Sequence, residues 1–136
     1  MANFRYLLDT NSMSDLSRHP SGKVARRLAV VGEAIVCTSI VVACELRFGA
    51  AKKGSSELSI RIDQLLASFE VLPLERDADH HYAEIRAHLS RMGQVIGPND
   101  MLIAAHALAL DLTLVTANVD EFARVPGLSI GNWFGV

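Results

Sequence analysis

The sequence is poor in cysteine, which removes two common classes of small protein. Its 136 residues include only Cys37 and Cys44. Their spacing is not the CxxC of many zinc and redox sites, and two cysteines cannot form a disulfide framework. Each lies within an apolar run, so we expect both to be reduced residues of the core.

Long hydrophobic runs are also missing. The most apolar stretches, residues 35–44 and 101–110, are far shorter than the ~20 residues that a membrane-spanning helix needs. Residues 1–5 lack the basic and apolar segments of a secretory signal. We therefore expect a soluble cytoplasmic protein with no membrane partner.

There is no excess of basic residues either. The formal net charge is −2, whereas nucleic-acid-binding domains are usually basic. This charge argues against a nucleic-acid partner unless a divalent cation cancels part of the acidic charge. Phosphates could then meet the remaining basic side chains, which include Arg26, Arg27, Arg47, Lys52 and Lys53.

What remains is the composition of an ordinary globular chain. Half of the residues are hydrophobic and 21% are charged, and the length suits one domain, which we take as residues 1–136. Short apolar segments alternate with longer helical patterns, which predicts an α/β fold with a mainly parallel central sheet. The predicted strands are 4–8, 34–38, 70–74, 112–116 and 128–130, and the predicted helices are 11–17, 23–32, 41–53, 57–69, 77–92 and 100–110.

Three acids occupy positions where packing gives no reason for a charge. Asp9 ends a predicted strand, while Glu45 and Asp100 belong to apolar helices. A buried carboxylate is costly unless it is paired or binds a cation, and carboxylates suit Mg²⁺ or Mn²⁺. Structural roles remain open on this evidence: Asp9 and Asp100 could stabilise helix N-termini, and Glu45 could pair with Arg47 or a distant arginine.

Other chemical motifs are weak or absent. The sequence has neither GxxxxGK[ST] nor GxGxxG, which argues against nucleotide-dependent transfer. His80, His81 and His88 have no zinc-type partner motif, and His106 is more typical of a core residue than of a base. Trp133 could stack on a base, but a hydrophobic closing contact is the favoured interpretation.

Several short motifs, taken together in their order and spacing, carry a resemblance to a known family. The chain resembles the PIN domain, and within it the VapC toxins of bacterial type II toxin–antitoxin modules. The resemblance covers essentially the whole chain. The motifs are Asp9-Thr10-Asn11, Ser39 with Glu45, Gly97-Pro98-Asn99-Asp100 with 103–107, and 114–118 before Glu121-Phe122.

This resemblance implies a three-layer α/β/α domain and a magnesium-dependent endoribonuclease, with Mn²⁺ able to substitute for Mg²⁺. Asp9, Glu45 and Asp100 are the family's conserved acids. A metal-activated water would hydrolyse an RNA phosphodiester bond. We expect Asp9 and Asp100 to bind the metal directly, whereas Glu45 could act through a water molecule.

Further positions are implied around these acids. Thr10, Asn11, Thr116 and Asn118 would orient the metal ligands or contact phosphate. Many relatives have aspartate at the position of Asn118, so either this amide or Asp120 could fill the fourth acidic position. This asparagine in place of aspartate affects the expected number of bound metal ions, one or two.

The same resemblance implies partners. A VapB-like antitoxin would occupy the catalytic groove and could place an arginine among the carboxylates. Candidate contact surfaces are helix 24–31 and the apolar face of 58–66. A homodimer is also implied. The expected substrate is transfer RNA, with the initiator anticodon loop as a guess, because a single-stranded loop reaches a small metal site easily.

Two other functions stay open. A catalytically inactive PIN-fold binding protein is favoured only by Asn118. A receiver-type signalling module also places acids at strand ends, but it needs adjacent acids after the first strand and a lysine after the last. Here Leu8 precedes Asp9, and the late strands have no lysine.

Overall fold

The predicted alternation of strands and helices is present in a computed structural model of the chain, which describes residues 3–135. A 3₁₀ turn, Glu33–Ile35, precedes the second strand. In chain order the elements are β1 Tyr6–Leu8, α1 Thr10–Arg18, α2 Lys23–Val31, β2 Val36–Ser39, α3 Ile40–Lys53, α4 Ser56–Ala67, β3 Glu70–Leu72, α5 Ala78–Met92, α6 Pro98–Ala109, β4 Thr113–Val115, α7 Val119–Phe122 and β5 Ile130–Gly131.

The strands form one five-stranded sheet in the order β3-β2-β1-β4-β5, and each neighbouring pair is parallel. Leu8, the last residue of β1, pairs with Thr38 in β2 and with Val115 in β4. The three central strands therefore end at the same edge of the sheet. Sequence-based prediction of a parallel α/β fold is confirmed, and β3, which precedes Pro73, lies at an edge as predicted.

Burial explains why the central strands have continuous apolar sequences. Leu7 and Leu8 of β1 and Leu114 and Val115 of β4 are completely buried, because helices cover the sheet. Trp133 is also buried and packs edge-on against Tyr6, with ring centroids 5.3 Å apart. This contact confirms its predicted closing role.

Most element boundaries differ from the predictions by one or two residues, and one helix was not predicted. Helix α6 begins at Pro98 rather than at Asp100, since proline suits the first turn, where a missing N–H costs nothing. Strand β5 begins at Ile130, so only its first residue lies in the predicted 128–130. Helix α7 was not predicted, because its four residues are too short to show a helical period.

One prediction about exposure was wrong, and one predicted surface is partly buried. Cys37 is buried, but Cys44 is exposed, because the apolar run crosses from β2 into α3 and Cys44 falls on the outward side of that helix. On α4, Ile62 and Leu66 are buried in the core of this chain. Part of the predicted partner surface 58–66 is therefore used inside the domain. Leu65 nevertheless lines an open groove beside α2, so contact of this face with a partner stays a prediction.

Helix α2 has apolar residues on both its buried and its exposed side. Val24 and Leu28 point into the core, whereas Val30 is 79% exposed. The outward side of this helix is thus available to a partner. Among the described residues, no helix is both long enough and apolar enough to cross a membrane.

Candidate active site

Asp9 directly follows β1, at the edge where the central strands end. It is only 4% exposed, and its Oδ1 accepts a hydrogen bond of 2.9 Å from the backbone N–H of Ser12. Its own N–H donates to the Val115 carbonyl at 3.0 Å. The carboxylate therefore caps the N-terminus of α1, while the backbone of Asp9 is fixed to the end of β4. Capping the helix does not prevent Asp9 from taking part in the site.

The surroundings of Asp9 disfavour its negative charge. Burial raises the pKa of Asp9, and the charge of Glu45 adds to the rise, while hydrogen bonds from Thr116 and Ser12 oppose it. Thr116 Oγ1 also accepts from the N–H of Asn118 at 2.9 Å. Because that bond occupies a lone pair, the threonine O–H remains free to donate to Asp9. Thr116 thus links Asp9 to the segment after β4.

Glu45 is half-buried on α3, and donors from two other helices hold it. Thr10 in α1 donates its hydroxyl to Oε1, and Asn99 in α6 donates its amide to Oε2 at 3.4 Å. Arg47 instead forms an ion pair with Asp63. The alternative in which Glu45 pairs with Arg47 is therefore wrong.

Asp100 lies in the first turn of α6, near the other two acids. Burial and the charges of Glu121, Glu45 and Asp9 together raise its pKa to about 6. These three charges act on Asp100 from nearby, so the four carboxyl groups lie in one region. Within residues 3–135, no salt bridge connects any of them to a basic side chain.

The fourth position involves a residue that the sequence argument missed. Asn118 donates its side-chain amide to Glu121 Oε2 at 2.6 Å, and Glu121 has the largest charge effect on Asp100. Asp120 is exposed and is not among the groups that shift the pKa of Asp100. Glu121 and Asn118 are three residues apart around the start of α7, so a predicted helix there would have placed them together.

The remaining predicted residues divide into two groups. Thr10 and Thr116 contact the acids, as described above. Asn11 is exposed, and none of the side-chain hydrogen bonds among the described residues involves it. Asn99 contacts Glu45 but is not among the predicted site residues, because nothing in its local sequence distinguishes it.

The donor chemistry fits a hard divalent cation. Asp9, Glu45, Asp100 and Glu121 supply carboxylate oxygens, and their mutual repulsion is not balanced by a basic partner in the described part of the chain. No group of three His, Cys, Asp or Glu side chains there is already close enough to form a metal cage. An ion would therefore have to draw the carboxylates closer together.

An open groove adjoins Glu45 and Thr10. It has a volume of about 630 Å³, and its walls include Ile40, Phe48 and Leu102, with the Phe48 side chain 66% exposed. A somewhat larger cavity of about 680 Å³ lies along α5 and contains none of the acids. Of these two cavities, only the groove beside Glu45 borders one of the site acids.

Comparison with known proteins gives the same family from sequence and from structure. The model of the PIN domain family matches residues 6–128. Ribonuclease VapC2 of Rickettsia felis is 34% identical over 130 residues, which cover 94% of this chain and 97% of that protein. The tRNA(fMet)-specific endonuclease VapC of Salmonella typhimurium is 32% identical over 130 residues, with 95% and 98% covered.

Two solved VapBC complexes have the same fold. VapBC2 from Rickettsia felis, bound to a DNA fragment from its promoter, superposes with a TM-score of 0.89 at 32% identity, covering 96% of this chain and 99% of the matched chain. DNA-bound VapBC from Salmonella typhimurium gives a TM-score of 0.87 at 32% identity, with 96% and 98% covered.

Proposed function

Because the chain belongs to the PIN domain family and, within it, to the VapC ribonucleases, we propose that it hydrolyses transfer RNA with a magnesium ion held by Asp9, Glu45 and Asp100. It is an endoribonuclease and the toxin of a VapBC toxin–antitoxin system. The proposed site is supported by one observation. These acids come from three different parts of the chain and lie in one region, without a basic partner among the described residues.

The proposed metal chemistry follows from this donor set. A bound Mg²⁺ would polarise the phosphoryl oxygen and lower the pKa of the attacking water, and Mn²⁺ would substitute. Asp9 and Asp100 would hold the ion directly. Glu45, with its oxygens held by Thr10 and Asn99, would orient a water of the ion.

Transfer RNA is the proposed substrate class. The Salmonella typhimurium relative is named for initiator transfer RNA, which supports the same class here without fixing the nucleotide that is cut. The site is open through the groove beside Glu45, and an unpaired loop can bring a phosphate into such a groove more easily than a duplex can. This activity would place the protein in the cytoplasm.

A VapB-like antitoxin is the proposed partner. The similar VapC chains in the solved structures are held in VapBC complexes, and the DNA is bound by those complexes. An antitoxin arginine would be well matched to the uncompensated carboxylates, because a guanidinium binds them with charge-assisted hydrogen bonds. The homodimer stays a prediction.

The alternative functions are less well supported. Membership of the PIN family excludes the receiver-type module. An inactive binding protein would need a defect in the principal acids, yet Asp9, Glu45 and Asp100 are all present in one region. Asn118 alone does not favour it, because Glu121 supplies a further carboxylate beside Asp100.

Mapping new 5′ ends of cellular RNA after brief induction of the toxin tests this proposal. We expect ends concentrated at one position of a transfer RNA, and the purified protein should reproduce that cut with Mg²⁺ but not with EDTA. New ends confined to other RNAs would overturn the transfer RNA proposal alone. No new ends would contradict the ribonuclease function.

The hydroxyl of Thr10 provides a test of how Glu45 is held. Thr10→Val keeps the side-chain shape but removes the donor to Glu45 Oε1, so we expect cleavage to fall about tenfold, as hydrogen bonds to charged groups are worth about 1.5–3 kcal/mol. Cleavage rates at saturating RNA measure the effect. Thr113→Val in β4 is the matched control. Equal rates for both variants would show that this hydrogen bond is irrelevant.

Magnesium and protons should compete at the acids. Asp100 has a pKa raised to about 6 from its ordinary 3.8, so between these pH values the folded state binds a proton that the unfolded chain releases. Its contribution to the free energy of unfolding therefore falls as pH rises through this window, and Asp9 acts in the same direction.

We accordingly expect Mg²⁺ at about a hundred times its Kd to raise Tm by on the order of 5–10 °C at pH 7.5. The rise at pH 5, with the same Mg²⁺ concentration, should be much smaller. Thermal unfolding with and without Mg²⁺ measures both values. An identical rise at the two pH values would be incompatible with an ion on these carboxylates.

A further inference from the structure

His106 is a buried polar residue that the proposed mechanism does not use. It lies on α6, six residues after Asp100, and is 2% exposed among completely buried residues such as Ile103 and Ala107. Burying an imidazole among apolar side chains lowers the stability of the fold unless the ring nitrogens are hydrogen-bonded. Its contacts therefore need an explanation.

The imidazole bonds to the start of another site helix. Nδ1 lies 2.8 Å from Oγ of Ser39, and Ser39 is both the last residue of β2 and the N-cap of α3. The same Oγ accepts the N–H of Val41 at 3.0 Å. The hydroxyl still has a second lone pair and its own hydrogen, so it pairs with Nδ1 as acceptor or as donor, according to which ring nitrogen carries the hydrogen.

The other side of the ring is less well satisfied. Nε2 has no hydrogen-bond partner of ordinary geometry in the described part of the chain. Burial lowers the pKa of His106, while the Pro73 carbonyl after β3 and the Glu75 carboxylate oppose that change. The strong directional contact of this side chain is thus the bond to Ser39, and it joins α6 to α3.

We propose that His106 is a positioning residue, whose hydrogen bond to Ser39 fixes α3 against α6 so that Glu45 and Asp100 face the same metal ion. This inference rests on the proposed function. Apolar packing between the two helices is non-directional, and the direct link between their site residues, Asn99 to Glu45, is long at 3.4 Å. The bond at 2.8 Å is therefore what sets the register of the helices.

Two substitutions separate this role from simple packing. His106→Asn can keep a polar atom near the position of Nδ1, whereas His106→Leu keeps apolar volume and loses the bond. We expect the leucine variant to cleave RNA at least tenfold more slowly and to bind Mn²⁺ at least tenfold more weakly by calorimetry. The asparagine variant should stay within about threefold of wild type in both measurements.

A control for general destabilisation comes from α2. Val24 is completely buried on α2, which carries none of the acids, so Val24→Ala should lower Tm without changing Mn²⁺ affinity. Equal Mn²⁺ affinity in both His106 variants and wild type would overturn the proposal. So would equal losses in the two variants, because packing rather than the bond would then be responsible.

Two further arrangements keep the test decisive. If the leucine variant does not fold, His106→Met takes its place, because it also keeps apolar volume and loses the bond. Ser39→Ala removes both the bond and the N-cap of α3, and Ser39→Thr is expected to retain both together with the Mn²⁺ affinity. If wild-type protein cleaves no RNA, the proposed function fails, but the Mn²⁺ titrations still report on the positioning role. An unchanged Mn²⁺ affinity in Ser39→Ala would contradict that role.

Discussion

Asp100→Asn should reduce RNA cleavage by about a thousandfold or more while leaving the metal-free protein at least as stable as wild type. The carboxylate is a proposed metal ligand, and metal activation is worth several kcal/mol, at about 1.4 kcal/mol for each tenfold. Without metal, its charge is disfavoured by burial and by Glu121, Glu45 and Asp9, so a neutral amide relieves repulsion. Asp9→Asn should behave similarly, since an asparagine can also cap α1.

Cleavage rates and thermal unfolding in EDTA, measured on the same preparations, test this pair of effects. Asp111→Asn is the matched control: Asp111 is exposed after α6 at φ 56°, a conformation that asparagine tolerates, and we expect no change in either quantity. Retention of cleavage in Asp100→Asn would disprove the ligand role. Loss of cleavage with a large fall in Tm would instead point to a structural role.

Glu121→Gln should lower cleavage by about ten- to a hundredfold, whereas Asp120→Asn should leave it unchanged. Glu121 supplies the fourth carboxylate, beside Asp100, whose loss would leave a metal ion with fewer negative ligands nearby, whereas Asp120 is exposed and does not shift the pKa of Asp100. Glutamine keeps an oxygen that can accept from Asn118, so the local structure should be retained. The variant also removes a negative charge that raises the pKa of Asp100.

The pH dependence of the cleavage rate provides a separate test of the role of Glu121. With less repulsion, Asp100 in Glu121→Gln should lose its proton at a lower pH, so the acidic limb of the cleavage profile should move to lower pH. Rates between pH 5 and 8 for both variants and wild type measure the shift. A larger loss in Asp120→Asn than in Glu121→Gln would reverse our assignment of the fourth position.

Much of the fold could be predicted because local chemistry specifies it. The strand before Asp9 is short and apolar, Ser39 has the side chain of an N-cap, and Pro73 marks an edge strand. Each signal depends on a few neighbouring residues. Helix α7 was missed for the converse reason, since its four residues are stabilised by their place after β4 and show no period of their own.

The candidate site was only partly predictable for a related reason. Asp9, Glu45 and Asp100 stood out because each acid interrupts an apolar pattern. Their hydrogen-bonded neighbours did not: Asn99 meets Glu45 across 54 residues of sequence, and that contact exists only in the folded chain.

Exposure was equally hard to predict from pattern alone. The exposed Cys44 and the inward-facing Leu66 depend on how α3 and α4 pack, which an apolar run does not specify. Residues whose role depends on such packing are therefore the ones that the sequence left undetermined.

The most direct measurement is anomalous diffraction from crystals of the toxin grown with Mn²⁺. A metal-dependent nuclease of the proposed kind should show a manganese peak bounded by Asp9 and Asp100, with Glu45 in direct contact or one water away, and no such peak in Asp9→Asn. A fully formed site without manganese at saturating concentration, or manganese bound only elsewhere, would contradict it.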